Sequence, residues 1–156
     1  MYLFQKFAAT GFSYLKLTSR SGALGEICII KQIFMRFLLK TEEATQLAIV
    51  IFALYYQPIH FAWWFWPILF LLPDLSMAGY LINNRAGAVL YNVFHYKAIA
   101  GLLILSGFAF VMPALYFAGL LLWAHSSFDR MMGYGLKYPD SFNHTHLGNI
   151  GKQKAA

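Results

Sequence analysis

From Met35 onward the chain alternates long apolar stretches with short polar turns, and this pattern constrains the fold more than any single motif does. The apolar stretches lie at about 44–57 (ATQLAIVIFALYYQ), 59–77 (through FAWWFWPILFLLPDLSM), 86–106 and 108–129. The first is shorter than the ~20 apolar residues a membrane span requires, so part of FLLKTEE is expected to extend it. Pro58 breaks the chain after it, and Trp63, Trp64 and Trp66 stand where an interfacial belt would lie. No alternation suited to a barrel is present, and backbone in lipid must satisfy its own hydrogen bonds, so the stretches are expected to be helices. The predicted architecture is all-α: an integral membrane four-helix bundle with a cytoplasmic N-terminal arm and C-terminal tail.

Composition agrees. The chain is 60% hydrophobic and 12% charged, against about 25% charged in soluble domains. The single Cys28 excludes an internal disulfide and any multi-cysteine metal site. The net charge of +6 is spread along the N-terminal arm and the helix ends without a basic stripe, so no nucleic-acid partner is expected. The lipid bilayer is the expected partner.

Residues 1–34 carry Lys6, Lys16, Arg20 and Lys31 against one acid, Glu26. No apolar core leads to a small-residue cleavage site, which argues against a secretory signal. The arm is expected to be an N-terminal extension outside the fold, either a transit-type leader or a segment upstream of a start at Met35, with 35–156 the membrane domain. The turns near 57–60 and 107–113 contain no Lys or Arg, whereas Arg36, Lys40, Arg85, Arg130, Lys137, Lys152 and Lys154 fall on one side of a four-span hairpin pair. The positive-inside bias then predicts a multi-pass protein of the cell membrane with both termini cytoplasmic.

The same topology gathers the rare polar residues into one layer. Glu42 and Glu43 open the first stretch, Asp74 closes the second, Asn92 and His95 lie early in the third, and His125 and Asp129 close the fourth. His125 and Asp129 are four residues apart and Asn92 and His95 three apart, so each pair shares a helix face. Ionisable groups at membrane depth face the bundle interior, pair with one another and mark function. Imidazole with carboxylate suits zinc, manganese or iron. Asp74, His95, His125 and Asp129 are therefore the candidate metal ligands, with Asn92, His144 and His146 as outer partners. Glu42 is the candidate base and Arg130 the candidate holder of an anionic headgroup. Each residue also has a plainer role: a helix-terminal pair for His125 and Asp129, a turn cap for Asp74, a solvated helix start for Glu42 and Glu43. Ala114 and Ala118 read as ordinary close packing.

LLKTEEA at 38–44, PDLSMAGYL at 73–81, YNVFH at 91–95, and AHSSFDRMMGYGLKYP with THLG at 124–139 and 145–148 resemble a bacterial membrane family known as domain-of-unknown-function family 4260. The resemblance runs from about residue 36 to the end, places the family's acid on Glu42 or Glu43, and makes Lys97 unusual; it implies no activity. A looser likeness to membrane-bound metal-dependent hydrolases rests on Pro73-Asp74, His95, His125 to Asp129, Gly133, Gly135 and Pro139. That group's His-Arg-Gly and Thr-His-Ser wording is missing. The likeness implies, by analogy, a divalent metal activating water against a lipid-like or interfacial substrate. Two other readings stay open: a non-enzymatic membrane scaffold or subunit with a buried polar network, and haem held between His95 and His125. The oligomeric state is not legible.

Overall fold

The computed structural model describes residues 20–59 and 61–151. Lys6, Lys16, His60, Lys152 and Lys154, which the sequence reading used, lie outside them. The chain divides between Phe37 and Leu38 into two units. In the first, residues 20–37 are helical. All the candidate site residues belong to the second.

The described residues are mostly helical. Helix α1, Arg20–Tyr55, has no proline within it and ends just before Gln57 and Pro58. Thr41 and Thr45 return their hydroxyls to the carbonyls of Leu38 and Thr41, at 2.9 and 2.8 Å, which lets both sit inside the helix. Helix α2, Phe65–Leu71, passes directly into a 3-10 helix, Leu72–Leu81. The change of winding has a local cause. Pro73 has no N–H to continue the α-helical ladder, and the Leu72 N–H already bonds the tighter partner, Leu69 O.

Helix α3, Asn84–His95, opens on Asn83, whose side-chain oxygen accepts from Ala86 N at 2.8 Å. Helix α4, Lys97–Ala109, follows after a break at Tyr96 that bends the pair by 43°. Helix α5, Pro113–Met132, starts on a proline, where the missing N–H costs nothing. It ends at Gly133 in the left-handed region (φ 98°), with Gly133 N bonded to Arg130 O and Tyr134 N to Asp129 O. The tail closes as a two-stranded antiparallel hairpin, β1 (His144–Thr145) against β2 (Gly148–Asn149), with Thr145 also bridging Lys137. The sequence carries no strand signal for this hairpin.

The apolar core joins Val50 and Leu54 of α1 to Phe117, Leu120, Leu121 and Ala124 of α5, with Trp66, Phe70 and Trp123 packed against it. Helices α4 and α5 approach closely at Gly107 and Gly119, where an added Cβ would meet the facing backbone. A Cβ on Gly119 would stand 2.7 Å from Ile104 N and 2.8 Å from Ala100 O.

The all-α class holds. The expected four continuous spans do not: the third apolar stretch is broken at Tyr96, and the second changes winding at Pro73. Among the described residues no single helix is long and apolar enough to cross a membrane, while α3 and α4 together pass as a bent pair by length and composition.

Gly119→Leu should destabilise the protein by ~1–3 kcal/mol through overpacking against backbone that cannot move aside. Gly25→Ala, with no atom within 4 Å of the new Cβ, should be neutral or stabilising by up to ~1 kcal/mol through helix propensity. Thermal unfolding of the two variants in detergent checks the contrast.

Candidate metal centre

Three local devices carry four ionisable side chains to one place. The proline-induced 3-10 turn presents Asp74 in its first turn. The break at Tyr96 leaves His95 as the last residue of α3. The final turns of α5 present His125 and Asp129 from one helix face. Asp74, His95, His125 and Asp129 each offer one ligand atom, and these atoms lie within 4.8 Å of one another.

The individual distances are informative. His125 Nε2 is 3.1 Å from His95 Nε2 and 3.3 Å from Asp74 Oδ1. His95 Nε2 is 3.5 Å from Asp74 Oδ1 and 3.5 Å from Asp129 Oδ2, and His125 Nε2 is 3.9 Å from Asp129 Oδ1. Two ligands at 2.0–2.1 Å from a tetrahedral ion stand about 3.3 Å apart. The separations scatter around that value, so these residues fit a small divalent ion.

The protonation pattern fits as well. His95 Nδ1 lies 2.8 Å from the Tyr91 carbonyl, which can only accept, so Nδ1 carries the proton and Nε2 offers its lone pair. This is the arrangement in which metal-ligating histidines are commonly held. His125 makes its polar contacts through Nε2, and its Nδ1 is buried with no hydrogen-bond partner among the described residues. The side chains of His95 and His125 are only 3% and 1% exposed, against 14% for Asp129 and 35% for Asp74. Asp74 is the most exposed of the four.

Tyr91 frames the site. Its ring stacks on the His95 imidazole with centroids 3.7 Å apart, and its hydroxyl donates to Asp129 Oδ2 at 2.7 Å. Behind it Lys137 is 3% exposed. Its Nζ donates to Phe142 O at 3.0 Å and lies over the rings of Phe142 and Tyr91, 4.1 and 5.2 Å from their centroids. Sequence reasoning missed both residues. Tyr91 sits four before His95 and so shares its face, which was a usable signal. Lys137 enters the sequence reading only as one of the bases on one side of the hairpin pair.

The other residues named from the sequence are placed elsewhere. Asn92 binds the tail: its Nδ2 donates to Lys137 O at 2.9 Å and its Oδ1 accepts from Lys137 N at 2.7 Å. His144 pairs with Asp140 at 2.7 Å in the hairpin region, and this contact holds the exposed Asp140 carboxyl below the usual range. His146 Nδ1 accepts from Leu136 N at 2.7 Å. Glu42 is exposed on α1, where it accepts from Gln46 Nε2 at 3.3 Å. Its neighbour Glu43 turns inward and pairs with Lys97 of α4, with Arg130 at 3.7 Å on its other oxygen. Lys97 also donates to Gln46 Oε1 at 2.6 Å, and Trp123 Nε1 donates to the same oxygen at 3.2 Å. This second polar network ties α1, α4 and α5 together beside the four-residue cluster.

Residues 36–150 match the family model described as domain of unknown function (DUF4260), and the chain belongs to that family. No curated protein and no solved structure matches it.

Burial pushes the Lys137 ammonium below the usual lysine range, opposed by the carboxylates of Asp129 and Asp74. Between that lowered value and about 10.4 the unfolded chain binds more protons than the folded one, so this residue's contribution makes stability rise with pH across the window. The wild-type melting temperature should therefore climb relative to that of Lys137→Met as pH is raised from neutral toward 10. Parallel curves would contradict the assignment.

Proposed function

We propose that this family member is a multi-pass protein of the cell membrane, both termini cytoplasmic, whose Asp74, His95, His125 and Asp129 hold a divalent metal ion for hydrolysis of a lipid-like or interfacial substrate. The observation that carries the reading is the convergence of four ligand atoms within 4.8 Å, on two nearly inaccessible imidazoles and two carboxylates. Zinc, manganese and iron all accept this donor set.

When bound, such an ion supplies a water of lowered pKa and polarises the bond to be cleaved. The chain's own residues do the rest. Asp74, the most exposed of the four, stands at the opening and can take a proton from an incoming water. Leu71, Leu72 and Leu75, close to Asp74 in sequence, are 57%, 50% and 69% exposed, which favours a substrate that brings an apolar chain. Arg130 is placed next to Asp129, and its NH1 stands 3.7 Å from Glu43, where its remaining donors suit an anionic headgroup. Glu42, directed away on α1, has no part in this reading.

The bilayer assignment is supported by composition and by the exposure of large apolar residues such as Phe52, Val89, Leu102, Leu105 and Phe108, all above 60%. Isolated exposed apolar residues are ordinary, but a set this extensive needs a partner phase. The bent apolar pair α3–α4 is consistent with it. Haem is disfavoured by geometry. Two axial nitrogens would stand about 4 Å apart, twice a metal–nitrogen bond. Here they are 3.1 Å apart, with Asp74 Oδ1 3.3 Å from one of them.

Metal analysis of the purified protein tests the reading. About one equivalent of a transition ion should co-purify, and His125→Ala or Asp129→Ala should weaken binding by more than the ~100-fold that an outer partner is worth. A metal-free wild type that stays fully stable, with His125→Ala costing stability alone, would sink the metal centre and leave a structural polar network.

A further inference from the structure

Tyr91 touches the candidate centre in three ways, each a different chemistry. Its carbonyl accepts from His95 Nδ1 at 2.8 Å, its ring lies flat on the same imidazole, and its hydroxyl donates to Asp129 Oδ2 at 2.7 Å. It therefore couples a ligand on α3 to a ligand on α5 while being only 1% exposed. Most of what it does for His95 is packing and orientation. The bond to Asp129 does more, because a carboxylate has two oxygens and can give a metal one or both.

We infer that Tyr91 determines which metal this centre selects, by occupying Asp129 Oδ2 and so holding Asp129 to one-oxygen coordination. The inference rests on the metal reading above. Both Asp129 oxygens reach the cluster, Oδ2 at 3.5 Å from His95 Nε2 and Oδ1 at 3.9 Å from His125 Nε2; the phenol engages a lone pair of Oδ2 and draws charge from it, which leaves Oδ1 the better donor. Two imidazoles and two single carboxylate oxygens make a four-donor set, the number zinc favours. Releasing Oδ2 would let Asp129 bind through both oxygens and raise the coordination number, toward the oxygen-rich sets that suit manganese. Tyr91 is in this sense a positioning residue. Lys137 over its ring and Asn92 one residue on hold the tail against the same stretch of α3, so the tail buttresses the tyrosine that orders the centre.

Tyr91→Phe keeps the ring, the stack on His95 and the carbonyl, and deletes only the bond to Asp129. Zinc affinity should fall ~10–100-fold, manganese affinity should hold or rise, and the zinc-to-manganese preference should narrow accordingly. The cobalt-substituted protein should lose the intense visible bands of four-coordination for the weak bands of a higher coordination number. A merely structural tyrosine would lower the melting temperature and leave both the preference and the bands unchanged, which overturns the inference while the metal reading stands. Wild-type protein that binds none of zinc, manganese, iron and cobalt overturns the metal reading itself. Should Tyr91→Phe not fold, fluorotyrosine at position 91, which retains the hydroxyl but alters its acidity, should shift the cobalt bands; unshifted bands overturn the inference.

Discussion

The approach of two imidazole nitrogens to 3.1 Å, inside a pair of carboxylates, is the contact on which the rest of this structure depends. Nothing in ordinary packing favours it. His95 and His125 come from helices separated in the chain by all of α4, and both are nearly inaccessible. Two departures from regular winding adjoin the meeting: the 3-10 turn after Pro73 and the break at Tyr96. Each would be a defect in a simple bundle. Together they deliver side chains that a straight helix could not bring to one point.

With only six acids in the chain, their distribution shows how charge is used. Asp74 and Asp129 face each other across the histidines, Glu43 neutralises Lys97 with Arg130 nearby, and Asp140 pairs with His144 in the tail. The Glu43 network is satisfied on every side: Lys97 donates to two oxygens, and Gln46 accepts from both Lys97 and Trp123. Buried networks of that kind fix helix positions when all members are paired. The Asp74–Asp129 cluster lacks such closure: among the described residues no Lys or Arg pairs with either carboxylate, and His125 Nδ1 has no hydrogen-bond partner. The two clusters are adjacent on α5 through Asp129 and Arg130, one tying helices together and the other offering four ligand atoms that could hold an ion.

The convergence of Asp74, His95, His125 and Asp129 was legible in the sequence because chain order and helical spacing suffice to bring them together: His125 and Asp129 by their i,i+4 relation, Asp74 and His95 by lying on neighbouring segments. The choice between Glu42 and Glu43 was not legible, since adjacent residues on a helix point about 100° apart and only the position of Lys97 decides which one turns inward. The burial of Lys137 was not legible for a related reason. A lysine after a glycine-rich turn looks solvated until the tail folds back and Asn92 clasps its backbone. The break at Tyr96 gave no signal either, because no proline or glycine marks it. The residue that ends α3 is instead His95, whose side chain bonds the Tyr91 carbonyl within the last helical turn.

X-ray absorption at the edge of whatever transition metal co-purifies with the wild-type protein tests the central claim most directly. The account predicts a first shell of two nitrogen and two oxygen donors from the protein at about 2.0–2.1 Å, with the outer-shell scattering of two imidazoles, and the loss of one imidazole in His125→Ala. A shell of oxygen alone, or a spectrum that His125→Ala leaves unchanged, would contradict it.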